Sequence, residues 1–304
     1  MVAVSSLPQW ADIPHLSWEW RGLPVTYKTA GTQGPAVVLI HGFGASSGHW
    51  RKNLPVLAQT CRVYALDLLG FGGSAKPSPT VTPYTFETWG QQITDFCDQV
   101  VGERAFLVGN SIGCIAAMQA AVDRPECVRA IALINCSLRL LHDRHRATQP
   151  WFKRLGTPIL QQVLQQRWIG RAFFSQIAKP QTVRKILLQA YHRPEAVTDE
   201  LIELLMAPAA DPGAVDVFLA FTAYSQGPLP EDLLEQLPCP ALLLWGSEDP
   251  WEPIALGRAF AAYSCVQEFI PLEGVGHCPQ DEAPELVNPI LQRWLEAFEP
   301  SGSH

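Results

Sequence analysis

Short runs of apolar residues alternate with amphipathic stretches along most of the chain. Continuous runs are typical of strands covered on both faces of a sheet, and apolar positions three or four apart are typical of helices. The predicted strands span residues 36–40, 62–66, 106–108, 128–135, 241–245 and 266–270, and the predicted helices of the core span 49–57, 86–101, 114–123 and 285–298. This alternation predicts an α/β fold with a mostly parallel, doubly wound sheet. Residues 17–21 and 24–28 flank Gly22 and predict an antiparallel hairpin at a sheet edge.

The alternation stops in the second half of the chain. The span 137–228 has no convincing strand, contains helical patterns at 157–168 and 181–191, and is divided by several prolines. We therefore predict that residues 137–228 form a helical cap. This cap is inserted into a core domain that comprises residues 1–136 and 229–304.

Charge and cysteine content narrow the classes of function. The chain has 304 residues and a formal net charge of −7 with no long basic run, which argues against a nucleic acid partner. Its eight cysteines lack CxxC spacing, so we expect reduced thiols, no metal site and no other cofactor. The N-terminal residues lack a basic start followed by a long apolar core, so we expect a protein that is not secreted. We expect a monomer or a homodimer.

The segment Gly109-Asn110-Ser111-Ile112-Gly113 lies between a predicted strand and a predicted helix. Strand, tight turn and helix in this order are the setting of a nucleophile elbow, which lifts a serine hydroxyl above the sheet edge. Glycines two residues to either side leave room for the turn, and the helix N-terminus favours developing negative charge. We therefore predict Ser111 as a nucleophile. The alternative is a plain strand-to-helix turn with a buried serine.

A nucleophilic serine needs a base that takes its proton and an acid that orients the base. Two later loops, each after a predicted strand, supply them in the chain order serine, acid, histidine. Because the C-terminal ends of parallel strands meet at one sheet edge, we predict Asp249 as the acid and His277 as the base. Glu248 and Asp67 are the alternative acids.

The oxyanion hole is expected to consist of backbone N–H groups. Ile112 directly follows the nucleophile, and Phe43 lies in the glycine-rich loop after the strand 36–40, so their N–H groups are the candidates. The ring of Phe43 is then expected to form a wall of the substrate pocket. His41, in the same loop, is expected to shape the turn.

Together these residues resemble the α/β-hydrolase superfamily from about residue 22 to 299. The motifs that narrow the resemblance are His41-Gly-Phe-Gly, residues 67–74, residues 109–113, and Gly276-His-Cys-Pro-Gln-Asp-Glu282. They are similar to the pheophytinase and chlorophyll dephytylase group of plants and cyanobacteria. Cys114 departs from that group, which usually has a further glycine there, at a position that affects helix packing more than chemistry.

The resemblance implies an α/β-hydrolase fold and hydrolysis of the phytyl ester of a chlorophyll-type pigment by way of an acyl-enzyme. It also implies a protein of the cytoplasm or of the periphery of a thylakoid membrane. Phe43, Asn110, Phe173, Phe174 and Trp251 are the candidate substrate-binding residues. The aromatic residues of the cap either line a channel for a long apolar alcohol or only pack the cap, and both interpretations stay open.

A basic stretch in the cap raises the question of membrane contact. Residues 139–154 contain five Lys or Arg residues and a single acidic residue, and they also include Trp151 and Phe152. Such a stretch is compatible with peripheral contact with an anionic membrane, and a solvated helix face is the alternative.

Other functions fit the same motifs. A carbon–carbon bond hydrolase of ring-cleavage diketones and a general esterase or lipase share the predicted serine. A non-catalytic receptor on the same fold is a further alternative, because a fold does not fix a function. Epoxide hydrolases and haloalkane dehalogenases are disfavoured because they carry aspartate at the position of Ser111.

Overall fold

One eight-stranded sheet organises the chain. The structure, a computed structural model, describes residues 8–140, 142–146 and 166–298. In chain order the strands are β1 His15–Trp20, β2 Leu23–Ala30, β3 Ala36–Ile40, β4 Arg62–Leu66, β5 Ala105–Asn110, β6 Val128–Ile134, β7 Ala241–Gly246 and β8 Val266–Leu272. Their order across the sheet is β1-β2-β4-β3-β5-β6-β7-β8. The six strands from β3 to β8 run parallel, which confirms the predicted α/β-hydrolase fold.

The central strands are covered on both faces. Every residue of β3 and of β5 is buried, as their continuous apolar runs predict. Along β3, Val38 and Ile40 pack into the core on one side of the sheet, whereas Val37 and Leu39 pack into the core on the other. Two helical layers therefore enclose the sheet and hold its C-terminal edge fixed.

The predicted hairpin forms the first edge of the sheet. Strands β1 and β2 pair antiparallel, with Trp20 opposite Leu23, and β2 also pairs antiparallel with β4. Arg21 and Gly22 form its turn, and both have positive φ angles, 54° and 77°. A two-residue turn of this kind matches the right-handed twist of the strands it joins.

The helices of the described chain are short. They span Leu54–Leu57, Phe86–Phe96, Ile112–Asp123, Asp143–Arg146, Arg167–Ile177, Pro180–Ala190, Asp199–Met206, Ala214–Ala223, Pro230–Gln236, Ile254–Gly257, Pro279–Glu282 and Pro284–Glu296. The last of these has Val287, Leu291 and Leu295 buried at every fourth position, because that face lies on the sheet.

Two predicted helices are interrupted. The segment predicted as a helix from His49 to Leu57 consists of a 3-10 turn, Ser47–Trp50, and a separate helix, Leu54–Leu57. Pro55 lies in the first turn of the second helix, where its missing N–H is tolerated, and it cannot continue a helix that begins earlier. The helix Phe86–Phe96 ends in a π-helical turn, Cys97–Val101, before Gly102 adopts a φ of 77°.

The regular elements described between β6 and β7 are all helical. The pattern predicted at 181–191 is the helix Pro180–Ala190, and most of the pattern at 157–168 lies outside the described residues. Trp151 and Phe152 of the basic stretch also lie outside them. Within that stretch, Arg139 donates to the carbonyl of Pro228 at 2.6 Å, so it connects the segment after β6 with the segment before the helix Pro230–Gln236.

Candidate active site

Ser111 lies between β5 and the helix Ile112–Asp123 in a strained backbone conformation. Its φ of 55° and ψ of −121° are rare for a residue with a side chain. The flanking glycines are sterically required: a Cβ atom on Gly109 would lie 2.7 Å from the carbonyl carbon of Gly113, and one on Gly113 would lie 2.5 Å from the carbonyl oxygen of Ile40. The elbow therefore fits only with glycine at both positions, and it presents Ser111 at the C-terminal edge of the sheet.

The predicted acid and base are hydrogen-bonded to each other. Nδ1 of His277 lies 2.7 Å from Oδ2 of Asp249, and both side chains are buried. Burial opposes ionisation of Asp249, but hydrogen bonds from His277, from Asn135 and from the backbone N–H of Glu252 outweigh it and lower the pKa of the carboxyl. An ionised carboxylate only accepts hydrogen bonds, so the proton of the neutral ring is on Nδ1 and Nε2 is left as the basic nitrogen.

Both oxygens of Asp249 have donors beyond the histidine. Nδ2 of Asn135 donates to Oδ2 at 2.6 Å. The backbone N–H groups of Trp251 and Glu252 donate to Oδ1 at 2.8 and 3.0 Å. The carboxylate is thus held by four donors from the segments that follow β6, β7 and β8, which fixes the orientation that His277 needs.

The alternative acids have other partners. Glu248 is exposed, and its carboxylate lies 3.3 Å from the hydroxyl of Ser247 in its own loop. Asp67 accepts hydrogen bonds from the backbone N–H groups of Ser47 and Gly73 at 2.6 and 2.8 Å. Asp67 therefore organises the loops beside the nucleophile, and Asp249 is the carboxylate that contacts the histidine.

Ser111 and His277 line one cavity of about 380 Å³ between the sheet edge and the helices that follow β6. Its walls are largely apolar. From the inserted helices they include Phe174, Ile177, Ile186, Leu187, Leu205 and Phe218, and from the core loops Phe43, Phe71 and Trp251. The centre of the Trp251 ring lies 4.9 Å from that of His277. An apolar group that enters this cavity therefore reaches the serine and the histidine together.

The glycine-rich loop approaches the nucleophile closely. A Cβ atom on Gly42 would lie 3.2 Å from Cβ of Ser111, and Gly44 has a φ of 69°. The next residue to Gly42 is Phe43, whose ring stacks on Phe221 of the insertion at 4.7 Å between centroids. Ile112 begins its helix, where the first N–H groups have no partner within the helix. Ile112 thus directly follows Ser111, and Phe43 directly follows the glycine that lies beside it, so the oxyanion hole at these two N–H groups stays a prediction.

His41 holds this loop, as expected. Its Nδ1 donates to the carbonyl of Gly42 at 2.8 Å, and its Nε2 accepts from the N–H of Leu68 at 3.0 Å. Burial lowers the pKa of His41, which keeps the ring neutral. A ring with both nitrogens engaged by the backbone fixes a turn and is not available as a base.

The predicted substrate-binding residues are placed differently from one another. Phe43, Phe174 and Trp251 line the cavity, whereas Phe173 is not among its lining residues and lies half exposed against Phe218. Asn110 lines the cavity, but its amide nitrogen donates to the carbonyls of Ile134 and His277 at 3.1 and 3.2 Å. Asn110 therefore connects the nucleophile loop with the histidine loop.

No sequence motif predicts two buried polar residues of the site, Asn135 and Glu252. Asn135 follows β6 directly, at the same sheet edge as Ser111 and Asp249, and that position was its only signal. Glu252 lines the cavity, and its Oε2 accepts from the N–H of Leu138 at 2.9 Å. Burial raises the pKa of Glu252 to about 7. This carboxyl therefore changes its charge near neutral pH beside the acid and the base.

A family model described as the alpha/beta hydrolase family matches residues 37–290, so the chain belongs to this family of hydrolases. The chain is 26% identical to the chloroplastic pheophytinase of Arabidopsis thaliana, over 96% of this chain and 68% of that protein. It is 36% identical to a 2-hydroxy-6-oxo-6-(2'-aminophenyl)hexa-2,4-dienoic acid hydrolase of Metapseudomonas resinovorans, over 42% of this chain and 44% of that one. Among solved structures, the epoxide hydrolase CorEH has the same fold, with a TM-score of 0.77 and 22% identity over 94% of this chain and 100% of that chain.

Proposed function

We propose that the protein is a serine hydrolase that cleaves a carboxylic ester of a bulky apolar substrate, the phytyl ester of a chlorophyll-type pigment. The observation that carries this proposal is the apolar cavity lined by both Ser111 and His277, with His277 hydrogen-bonded to an ionised Asp249. The similarity to pheophytinase, over 96% of this chain, supports the pigment ester as the substrate.

In the proposed reaction, His277 accepts and returns the protons. The Ser111 hydroxyl attacks the ester carbonyl carbon and gives its proton to Nε2 of His277, while Asp249 stabilises the imidazolium. The N–H groups of Phe43 and Ile112 hold the negative oxygen of the tetrahedral intermediate. The intermediate collapses to an acyl-enzyme, and the alcohol leaves with the proton from His277. Water then attacks the acyl-enzyme by the same route, which releases the carboxylic acid and restores Ser111.

The apolar walls favour an apolar alcohol or acyl chain over a polar one. Phe174, Ile177 and Leu187 offer no hydrogen bond to a polar substrate, so a polar chain would lose its hydration there without compensation. A phytyl chain loses only unfavourable contact with water in the same place. The cavity therefore supports selection by shape and apolar area.

Carbon–carbon bond hydrolysis is the second candidate. The relative from Metapseudomonas resinovorans carries this activity in its name, and it matches over a limited part of the chain. A diketone acid would bring a carboxylate into the cavity. The described lining contains one cation, Lys76, and its ammonium group already contacts Asp211 at 2.8 Å and the carbonyl of Gly72 at 2.7 Å. These contacts favour the ester as the substrate.

The test of the function combines a covalent probe with a substrate panel. A fluorophosphonate is expected to label the wild-type protein at Ser111, and turnover is expected on pheophytin or chlorophyll as well as on short p-nitrophenyl esters. Ser111→Ala is expected to lose labelling and about 10⁴-fold or more of the ester turnover while its circular dichroism is unchanged. A wild-type protein that the probe does not label would favour the alternative of a non-catalytic receptor on the same fold. Turnover of ring-cleavage diketones without turnover of esters would favour the carbon–carbon hydrolase.

We also propose that this substrate is taken from an anionic membrane surface through the inserted helices. Residues 166–194 contain six Lys and Arg residues and no Asp or Glu, in a chain whose net charge is −7. Trp168 is 75% exposed on this segment, and Leu188 is 44% exposed. Exposed apolar side chains among basic ones are typical of segments that rest on anionic lipid.

The membrane proposal is tested by sedimentation with vesicles. Wild-type protein is expected to bind phosphatidylserine-containing vesicles at low salt, to bind neutral vesicles weakly, and to be released by added salt. Trp168→Ser is expected to reduce the bound fraction without changing turnover of a soluble short ester. Equal binding of wild type and variant, or no preference for the anionic vesicles, would contradict the proposal.

A further inference from the structure

The end of the insertion is bonded to the loop that carries the base. The backbone N–H of His277 donates to the carbonyl of Ala190, the last residue of the helix Pro180–Ala190, at 2.8 Å. A Cβ atom on Gly276 would lie 2.2 Å from that same carbonyl oxygen and 2.8 Å from the nitrogen of His192. The two backbones therefore touch, and only glycine fits at position 276.

Glu282 joins the same two segments with its carboxylate. Its Oε2 accepts from the N–H of Gly276, the residue before the base, at 2.8 Å. Its Oε1 accepts from the N–H of Arg193, in the insertion, at 2.7 Å. The side chain of Glu282 is buried, so water does not compete for either bond.

The neighbouring Asp281 adds a second connection in the same short helix, Pro279–Glu282. The hydroxyl of Tyr191 donates to Oδ2 of Asp281 at 2.8 Å. Nη1 of Arg51, from the core, lies 2.8 Å from Oδ1. Asp281 is fully buried, so this ion pair lies inside the protein between the insertion and the core.

These contacts account for residues of the segment 276–282 that the mechanism does not use. Gly276 permits the close approach, Asp281 binds Tyr191 and Arg51, and Glu282 binds the backbone on both sides. His277 is the member of this segment that acts on the substrate in the proposed reaction. Gly276, Asp281 and Glu282 hold the loop that presents it.

We propose that Glu282 is a positioning residue for His277, and that residues 190–193 of the insertion belong to the framework that orients the base. Through the N–H of Gly276, Glu282 fixes the backbone one residue before the base. Through the N–H of Arg193, Glu282 fixes residues 190–193 of the insertion. The carbonyl of Ala190 in this segment accepts from the N–H of His277 itself. The inference rests on the proposed function in one respect, the role of His277 as the base.

The test compares Glu282→Gln with Glu285→Gln. A glutamine at 282 must present its NH₂ group to one of two N–H donors, so one hydrogen bond becomes a repulsive contact. Glu285 is exposed and pairs with the guanidinium of the same Arg193, which makes it the matched control for a loss of charge at this junction. An error of about 1 Å in the position of a reacting group can reduce the rate on the order of 100-fold.

For Glu282→Gln we expect kcat on a short soluble ester to fall about 10- to 100-fold while KM changes less than about threefold. We also expect weakening or loss of the downfield proton NMR signal of the Nδ1–H between His277 and Asp249. Glu285→Gln is expected to keep kcat within about twofold of wild type and to retain the Nδ1–H signal. A Glu282→Gln protein that is folded, turns over normally and keeps the signal would overturn the proposal.

Glu282→Asp keeps the proposal testable if glutamine prevents folding. It retains the charge and both acceptor oxygens but withdraws them by one methylene, so we expect an intermediate loss of kcat with the wild-type fold. Normal turnover in that variant would equally overturn the proposal. A wild-type protein that neither hydrolyses esters nor reacts with a fluorophosphonate would refute the proposed function instead, and the two failures are therefore distinguishable.

Discussion

Asn135 and His277 donate to the same oxygen of Asp249. The amide nitrogen of Asn135 lies 2.6 Å from Oδ2, and Nδ1 of His277 lies 2.7 Å from it. The amide oxygen of Asn135 accepts from the N–H of Gly246 at 3.0 Å. The end of β6 is thereby hydrogen-bonded to the loop after β7, and Asp249 is held in place by a residue that is not among those lining the cavity.

Replacement of Asn135 by glycine is expected to lower kcat/KM about 10- to 100-fold, because a hydrogen bond to a charged group contributes about 1.5–3 kcal/mol. Glycine is chosen because Asn135 has a φ of 46°, which would strain alanine. Kinetics on a soluble ester, with the thermal midpoint as a check on folding, measure the effect. A stable variant with wild-type kcat/KM would show that the other donors suffice for Asp249.

The assignment of the acid is tested by a pair of amides. Asp249→Asn leaves the ring of His277 without its carboxylate, so the proton can shift to Nε2, and a loss of about 10³- to 10⁴-fold in kcat is expected. Glu248→Gln, in the same loop and exposed, is expected to stay within about twofold of wild type. The reverse order of these effects would assign the acid to Glu248.

Glu252 is expected to make stability depend on pH. Its pKa is raised by burial from 4.5 to about 7, so between these values the native state keeps a proton that the unfolded chain releases. The free energy of unfolding therefore falls as the pH rises through this window and is level above it, with a loss of about 2–3 kcal/mol between about pH 5 and pH 8.

Urea unfolding of wild type and Glu252→Gln at the two pH values measures this loss. The variant is expected to lack it, and Glu248→Gln, which removes an exposed carboxyl from the same loop, is expected to retain it. The same pH dependence in wild type and Glu252→Gln would contradict the buried titration.

The cavity distinguishes two adjacent phenylalanines. Phe173 and Phe174 lie in the same helix and both contact Phe218, but Phe174 lines the cavity and Phe173 does not. Phe174→Ala is expected to change the ratio of long-chain to short-chain ester kcat/KM about tenfold or more, since a change in a pocket of this kind contributes about 1–3 kcal/mol. Phe173→Ala, the matched control, is expected to leave the ratio within about twofold. Equal ratios in both variants would remove Phe174 from the substrate site.

The central strands of the sheet could be predicted because they are buried on both faces. A continuous apolar run such as Ala36–Ile40 leaves few other structures open, and the order of elements then implies parallel pairing. The segmentation of the helices was harder to predict. The break between Trp50 and Leu54 depends on Pro55 and on local backbone bonds, which a helical pattern of apolar residues does not reveal.

In the candidate site, a distinctive motif predicts Ser111, whereas no motif predicts Asn135 or Glu252. Ser111 is flanked by glycines whose absence the backbone does not tolerate, and the sequence records that requirement. Asn135 and Glu252 act through contacts with loops that are distant in sequence, for example Asn135 with Asp249, 114 positions later. No spacing rule predicts such a contact, because it depends on which strand ends become neighbours.

The hydrogen bonds between residues 190–193 and the segment 276–282 limit how the helices between β6 and β7 can be exchanged among relatives. A donor segment that replaced residues up to 193 would have to place its own backbone carbonyl where Ala190 accepts from the His277 N–H, and its own N–H where Arg193 donates to Glu282. A graft whose downstream junction lies before Ala190 retains both. Under the proposed function, the substrate range is therefore to be altered in helices before Ala190, such as Arg167–Ile177, while residues 190–193 are kept as they are in this chain.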